Sequence, residues 1–170
     1  MIQIYTGGGK GKTTATLGLS LRAVGAGKQV SIVQFLKPAR PETSEVKAIA
    51  KFLPRIKIKS FGQPIFVKKN KIKNQDLILA QRAWHEAQQE MNGKADIIIL
   101  DEILVAIYFK LIDEAKVIKC LMHNGKKKEI ILTGQKASKK IIKIADLVSE
   151  VKPIKHYFDQ GIKARKGIEY

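Results

Sequence analysis

The chain has 170 residues, 45% of them apolar, which suits one compact unit with a proper core. The lone Cys120 excludes an internal disulfide framework, and the longest apolar region, residues 97–109, is broken by Asp101 and Glu102, which excludes a membrane span. The net charge of +17 rests mostly on dispersed lysines, with only five arginines among 32 basic residues, so it reads as a solvated surface rather than a nucleic-acid footprint.

In chain order, β-prone runs at residues 3–6, 30–35, 56–60, 97–101, 130–133 and 147–151 alternate with helical segments at 13–26, 42–52, 75–91, 113–123 and 138–144. Such alternation predicts an α/β fold: a mostly parallel sheet of about six strands flanked by helices, with residues 1–170 forming a single domain. No signal peptide precedes the first strand, and a cytoplasmic location is expected. The stretch 61–73 has no clear periodicity; Gly62, Pro64 and its lysines make it a loop after the third strand, where α/β folds place ligand chemistry.

The most informative motif follows the first strand: Thr6-Gly7-Gly8-Gly9-Lys10-Gly11-Lys12-Thr13-Thr14. Strand, glycine-rich loop and a helix opening on Lys-Thr form the context of a P-loop, and so predict ATP binding on a P-loop NTPase-like, RecA-like sheet. Backbone N–H groups from Gly7, Gly8, Gly9, Lys10 and Gly11 through Thr14 can close around phosphate oxygens at a positively polarised helix start. Lys12, expected to stand exposed on the loop, reaches the phosphates as a point charge, and the Thr13 hydroxyl ligates Mg²⁺ or Mn²⁺. One departure is visible: the usual first glycine is Thr6.

The second motif, Ile97-Ile98-Ile99-Leu100-Asp101-Glu102, matches a Walker B strand, whose carboxylate holds the metal directly or through water. Asp101 and Glu102 are both candidates for that role. Asp101 could instead cap a helix over residues 103–109, and Glu102 could activate a water. Among other candidates, Trp84 reads as a packing residue, His85 as a surface histidine, and His123 as a partner for helix-terminal carbonyls. His156 divides between ligand contact and local structure.

With Val33-Gln34-Phe35-Leu36-Lys37, Leu132-Thr133-Gly134 and the tail from Ala145 through Lys155-His156-Tyr157-Phe158-Asp159 to Gly167-Ile168-Glu169-Tyr170, these motifs resemble the P-loop class of ATP:corrinoid adenosyltransferases. The resemblance implies transfer of the 5′-deoxyadenosyl group of ATP to the Co(I) centre of a reduced corrinoid, the second substrate, with release of tripolyphosphate. It implies catalytic roles for Lys12, Thr13 and Glu102, with Thr13 and Glu102 as Mg²⁺ ligands, and ATP bound in an orientation reversed relative to ordinary P-loop ATPases. It places Phe61, Phe66 and His156 on the corrinoid side, and implies a homodimer and a flavoprotein reductant as partners; no membrane or nucleic acid is expected. The family's Thr-Gly-Arg is Thr133-Gly134-Gln135 here, so Lys136 or Lys139 would have to replace the guanidinium. Two other classes stay open on the residues alone: a nucleic-acid-stimulated RecA-like ATPase, and a non-catalytic ATP-binding regulator.

Overall fold

The computed structural model describes residues 1–38, 43–64 and 71–169. Among these, six strands form one sheet: β1 (Ile2–Thr6), β2 (Val30–Phe35), β3 (Ile56–Phe61), β4 (Ile97–Asp101), β5 (Glu129–Thr133) and β6 (Leu147–Glu150). Their order is β3-β2-β4-β5-β1-β6, and every pairing is parallel. The helices are α1 (Lys12–Gly25), α2 (Ser44–Phe52), α3 (Asn74–Asn92), α4 (Ile103–Tyr108), α5 (Glu114–Asn124) and α6 (Lys139–Lys143), with a short 3₁₀ turn at Tyr157–Gln160.

The central strands β2 and β4 are buried along their whole length, as unbroken apolar runs require when helices cover both sheet faces. Alternation assigns their side chains to opposite layers. Val30, Ile32, Ile97, Ile99 and Ile131 pack with Ala23 of α1 and Ile49 of α2. Val33, Phe35, Ile98, Leu100, Ile130 and Leu132 pack on the other side against α3, α4 and α5, where Trp84, Met91 and Leu121 lie. Trp84 is 6% exposed and is a core residue.

Three helices begin where a side chain provides for orphan N–H groups. Asp113 accepts a hydrogen bond from Lys116 N (3.0 Å) at the start of α5, and Ser138 accepts one from Ile141 N (3.2 Å) at α6. Asp76 accepts from Lys73 N (2.9 Å) at α3 and also from Gln63 Nε2 (2.9 Å), tying the segment after β3 to that helix.

The structure departs from the sequence reading in a few places. The strand 97–101 and the helix after it both exist, because Glu102 turns the chain between them with φ 64°. Asp101 therefore ends the strand and does not cap α4. The predicted start of the second helix at Glu42 lies outside the described residues; among these, α2 begins at Ser44. His123 stands in the last turn of α5, but the carbonyl of Cys120 is met by Asn124 Nδ2 (3.0 Å) instead.

Candidate active site

The parallel register brings the carboxyl ends of four strands into one polar row. Gln34 of β2 is paired with Ser60 of β3 on one side and Asp101 of β4 on the other. Ser60 Oγ donates to Gln34 Oε1 (2.7 Å), Gln34 Nε2 to Asp101 Oδ2 (3.1 Å), and Thr133 Oγ1 of β5 to Asp101 Oδ1 (2.6 Å). Thr133 Oγ1 in turn accepts from the Glu102 backbone N–H (2.9 Å), which helps hold Glu102 in its left-handed conformation.

The loop between β1 and α1 folds over this row. Gly7 (φ 104°) and Gly11 (φ 114°) take backbone conformations that side chains disfavour. A Cβ at Gly7 would also run into the carbonyl of Val151, where the chain leaves β6. Gly9 N donates to that same carbonyl (2.8 Å), so the loop is anchored to the edge strand.

Lys12 is not exposed, contrary to the sequence expectation: it is 8% exposed. The physical reason is that α1 begins at Lys12 itself, and the side chain turns back under the loop to donate to the carbonyls of Gly7 and Gly9 (2.8 Å each). Burial lowers its pKa, with the charges of Glu102 and Asp101 opposing the shift.

Thr13 Oγ1 donates to Asp101 Oδ1 (3.0 Å) and accepts from Lys37 Nζ (3.0 Å), and Lys37 Nζ also donates to Asp101 Oδ2 (2.6 Å). Asp101 is fully buried and carries four hydrogen bonds. Burial alone would raise its pKa; the Lys37 charge, with hydrogen bonds from Lys37, Thr133 and Thr13, overcomes this and holds it below the usual range. Glu102 is the opposite case. No described residue hydrogen-bonds its carboxylate, and burial, then the neighbouring Asp101 charge, pushes its pKa up.

Lys12, Thr13, Thr14, Lys37, Glu102 and the tail residues Gly167–Glu169 line one cleft of about 400 Å³. A larger cleft of about 740 Å³ lies at the amino ends of β2, β3 and β4, where Lys57 and Lys59 pair with Glu86 and Glu90; it holds none of the motif residues.

The other predicted residues are distributed as follows. Lys10 lines the cleft at its tail side and donates to Ile168 O (3.0 Å) and Glu169 Oε1 (2.9 Å). His156 Nδ1 accepts from Phe158 N (3.1 Å) and so caps the 3₁₀ turn, which gives it a local structural role. Phe61 ends β3 half-buried against the core layer shared with Phe35, and Phe66 lies outside the described residues. Lys136 lines a separate groove with Tyr108 and Ser138, and does not reach the P-loop cleft. Sequence reasoning assigned no role to Lys37 and Gln34, although the run Val33–Lys37 that holds them was visible as a motif.

An open oxygen donor (Glu102), a hydroxyl at a helix start (Thr13) and the ammonium groups of Lys12 and Lys37, with Lys10 at the tail side, around one cleft can hold a polyphosphate with a hard cation. Residues 1–170 match the sequence model of a family described as ATP:corrinoid adenosyltransferase BtuR/CobO/CobP. The chain is 32% identical to the corrinoid adenosyltransferase of Escherichia coli K12, over 100% of this chain and 85% of that protein. It is likewise 32% identical to corrinoid adenosyltransferase CobA of Salmonella typhimurium LT2, with the same coverage. A relative from a Sinorhizobium species, also called corrinoid adenosyltransferase, is 34% identical over 100% of this chain and 80% of its own length. Among solved structures, the KaiC-like protein PH0186 of Pyrococcus horikoshii superposes with a TM-score of 0.54 at 20% identity, covering 89% of this chain and 71% of that one, which shows a shared fold alone.

Proposed function

The chain belongs to the ATP:corrinoid adenosyltransferase family, and from that premise we propose how its residues serve the reaction. The enzyme transfers the adenosyl group of ATP to a corrinoid. In our reading, the Co(I) centre of the reduced corrinoid attacks ribose C5′: the Co–C bond forms, the C5′–O bond breaks, and tripolyphosphate leaves with that bond's electron pair. Such a step asks the protein for positioning and for charge at the leaving group, while the corrinoid substrate supplies the nucleophile.

Backbone N–H groups of residues 7–14 orient the triphosphate, and Lys12 exchanges its contacts to Gly7 O and Gly9 O for phosphate oxygens. The donor set fits Mg²⁺ or Mn²⁺, since Thr13 and Glu102 offer hard oxygens and the Glu102 carboxylate has no competing described partner. Such an ion would neutralise charge on the triphosphate. Asp101, saturated by four hydrogen bonds, orients Thr13 and Lys37 and does not itself bind the ion. Phe61, Phe66 and His156 belong to the corrinoid side of this reading, residues 1–170 act as one domain, and the enzyme works as a cytoplasmic homodimer fed by a flavoprotein reductant. No helix among the described residues is long and apolar enough to cross a membrane.

The observation that carries the residue assignment is the meeting of Lys12, Thr13 and an unpaired Glu102 in one cleft. The test is incubation with ATP, Mg²⁺ and a chemically reduced corrinoid. The cobalt–carbon product should appear in the visible spectrum with one tripolyphosphate per turnover. Release of ADP without that product would overturn the reading.

A further inference from the structure

The geometry points to Lys37 as a phosphate-binding residue: its ammonium, held between Thr13 and Asp101, is a second cation for the triphosphate beside Lys12. The inference rests on the P-loop cleft being the ATP site and adds a ligand to it.

Several independent features build this position. Lys37 lines the same cleft as Lys12, Thr13 and Glu102, and its side chain is 31% exposed there. An ammonium has three donors. Two are taken, by Thr13 Oγ1 (3.0 Å) and Asp101 Oδ2 (2.6 Å), which leaves one for a ligand in the cleft. Lys37 also depresses the pKa of Lys12, so the two cations sit close enough to disfavour each other. An anion between or beside them relieves that repulsion.

The backbone is arranged for the same end. Leu36 takes a left-handed conformation (φ 59°), unusual for a branched residue, in turning the chain from β2 toward the cleft. A side chain at Gly62 would collide with the backbone of Leu36 and Lys37, so the segment after β3 seats this turn closely. Among the described residues, Lys10 also lines the cleft, but it is bonded to Ile168 and Glu169 of the tail rather than to Thr13 and Asp101, and Lys136 lines another groove. With glutamine at position 135, Lys37 is a cation that the described residues offer to the phosphates in addition to Lys12.

A purely structural role, as counter-ion to the buried Asp101, is the competing explanation, and the two separate experimentally. Binding of inorganic tripolyphosphate and of ATP is measured by calorimetry without metal, alongside the melting temperature. Lys37→Met should weaken both by about 10- to 100-fold, the size of one lost charge-assisted contact. It should also lower the melting temperature, because Asp101 loses its ion pair. The double variant Lys37→Met/Asp101→Asn removes that buried charge, and should recover the melting temperature while binding stays weak. Parent-like affinity in the folded double variant overturns the proposal. If the double variant does not fold, Lys37→Arg and Lys37→Gln decide: retained affinity in the first and loss in the second is expected, and equal affinities overturn it. A parent protein that binds neither ligand overturns the P-loop reading itself, and the role of Lys37 with it.

Discussion

Lys12 and Glu102 line the same cleft in opposite electrostatic situations, and each yields a prediction. Lys12 is buried with its charge satisfied by two loop carbonyls, so its substitution acts on binding and on the loop together. Lys12→Ala should cost about 1.5–3 kcal/mol in ATP binding, the range of a charge-assisted hydrogen bond, and abolish turnover. Calorimetric titration with ATP checks this, and parent-like affinity would remove the lysine from the site. Glu102 has a pKa raised above its ordinary value near 4.5 by burial and by Asp101. Its folded form therefore holds a proton more tightly than its unfolded form, so stability contributed here falls as pH rises through that window. Glu102→Gln should then melt higher than the parent at neutral pH, yet respond far less to added Mg²⁺ in the adenosylation assay. As pH falls toward the raised pKa, the parent should need more Mg²⁺, and the variant should lack that dependence. A variant that melts lower and keeps the parent's Mg²⁺ response would assign the metal to another group.

At the scale of elements, the site exists because parallel register aligns strand ends. Ser60, Gln34, Asp101 and Thr133 come from four strands separated by up to 99 residues, yet form one hydrogen-bonded row. The strands themselves were legible in the sequence, since buried parallel strands are unbroken apolar runs, and so was the glycine loop, whose chemistry is local. Lys37 was not assigned, because its value depends on Asp101, 64 positions away and one strand across. The burial of Lys12 was equally hidden: it follows from α1 starting at that residue, and from a loop pinned to Val151. The turn at Leu36 gives the prediction of this scale. Gly62→Ala drives a methyl into the backbone of Leu36 and Lys37, and neither neighbour is a flexible side-chain tip that can give way. The variant should lose about 1–3 kcal/mol of stability, as overpacking does, and should weaken ATP binding by displacing Lys37. Loss of stability with unchanged nucleotide affinity would mean that the turn is packed for the fold alone.

Across the whole molecule, the chain returns to its beginning. After β6 pairs with β1, the tail crosses back so that Gly167, Ile168 and Glu169 line the P-loop cleft. Glu169 is the centre of this closure: Lys10 and the Tyr157 hydroxyl donate to its Oε1, and Arg165 N to its Oε2 (2.6 Å), while the Arg165 guanidinium lies 4.9 Å from the Tyr157 ring centre. The Tyr157 and Lys10 hydrogen bonds hold the Glu169 carboxyl far below its ordinary value of 4.5. A depressed folded value contributes stability above the ordinary pKa, and that contribution is lost as pH falls below 4.5 toward the folded value. The tail should therefore stay seated at neutral pH and loosen under acid conditions, with the P-loop loosening beside it, because Lys10 belongs to both. Glu169→Gln tests the coupling at neutral pH, where the parent is intact. Hydrogen exchange should speed up at residues 157–169 and at the loop 7–11, while the core strands β2 and β4 keep their protection. ATP affinity should fall several-fold, because one wall of the cleft has been released. Faster exchange in the tail with an unchanged P-loop and unchanged affinity would separate the two, and leave the tail as a passive end to the sheet.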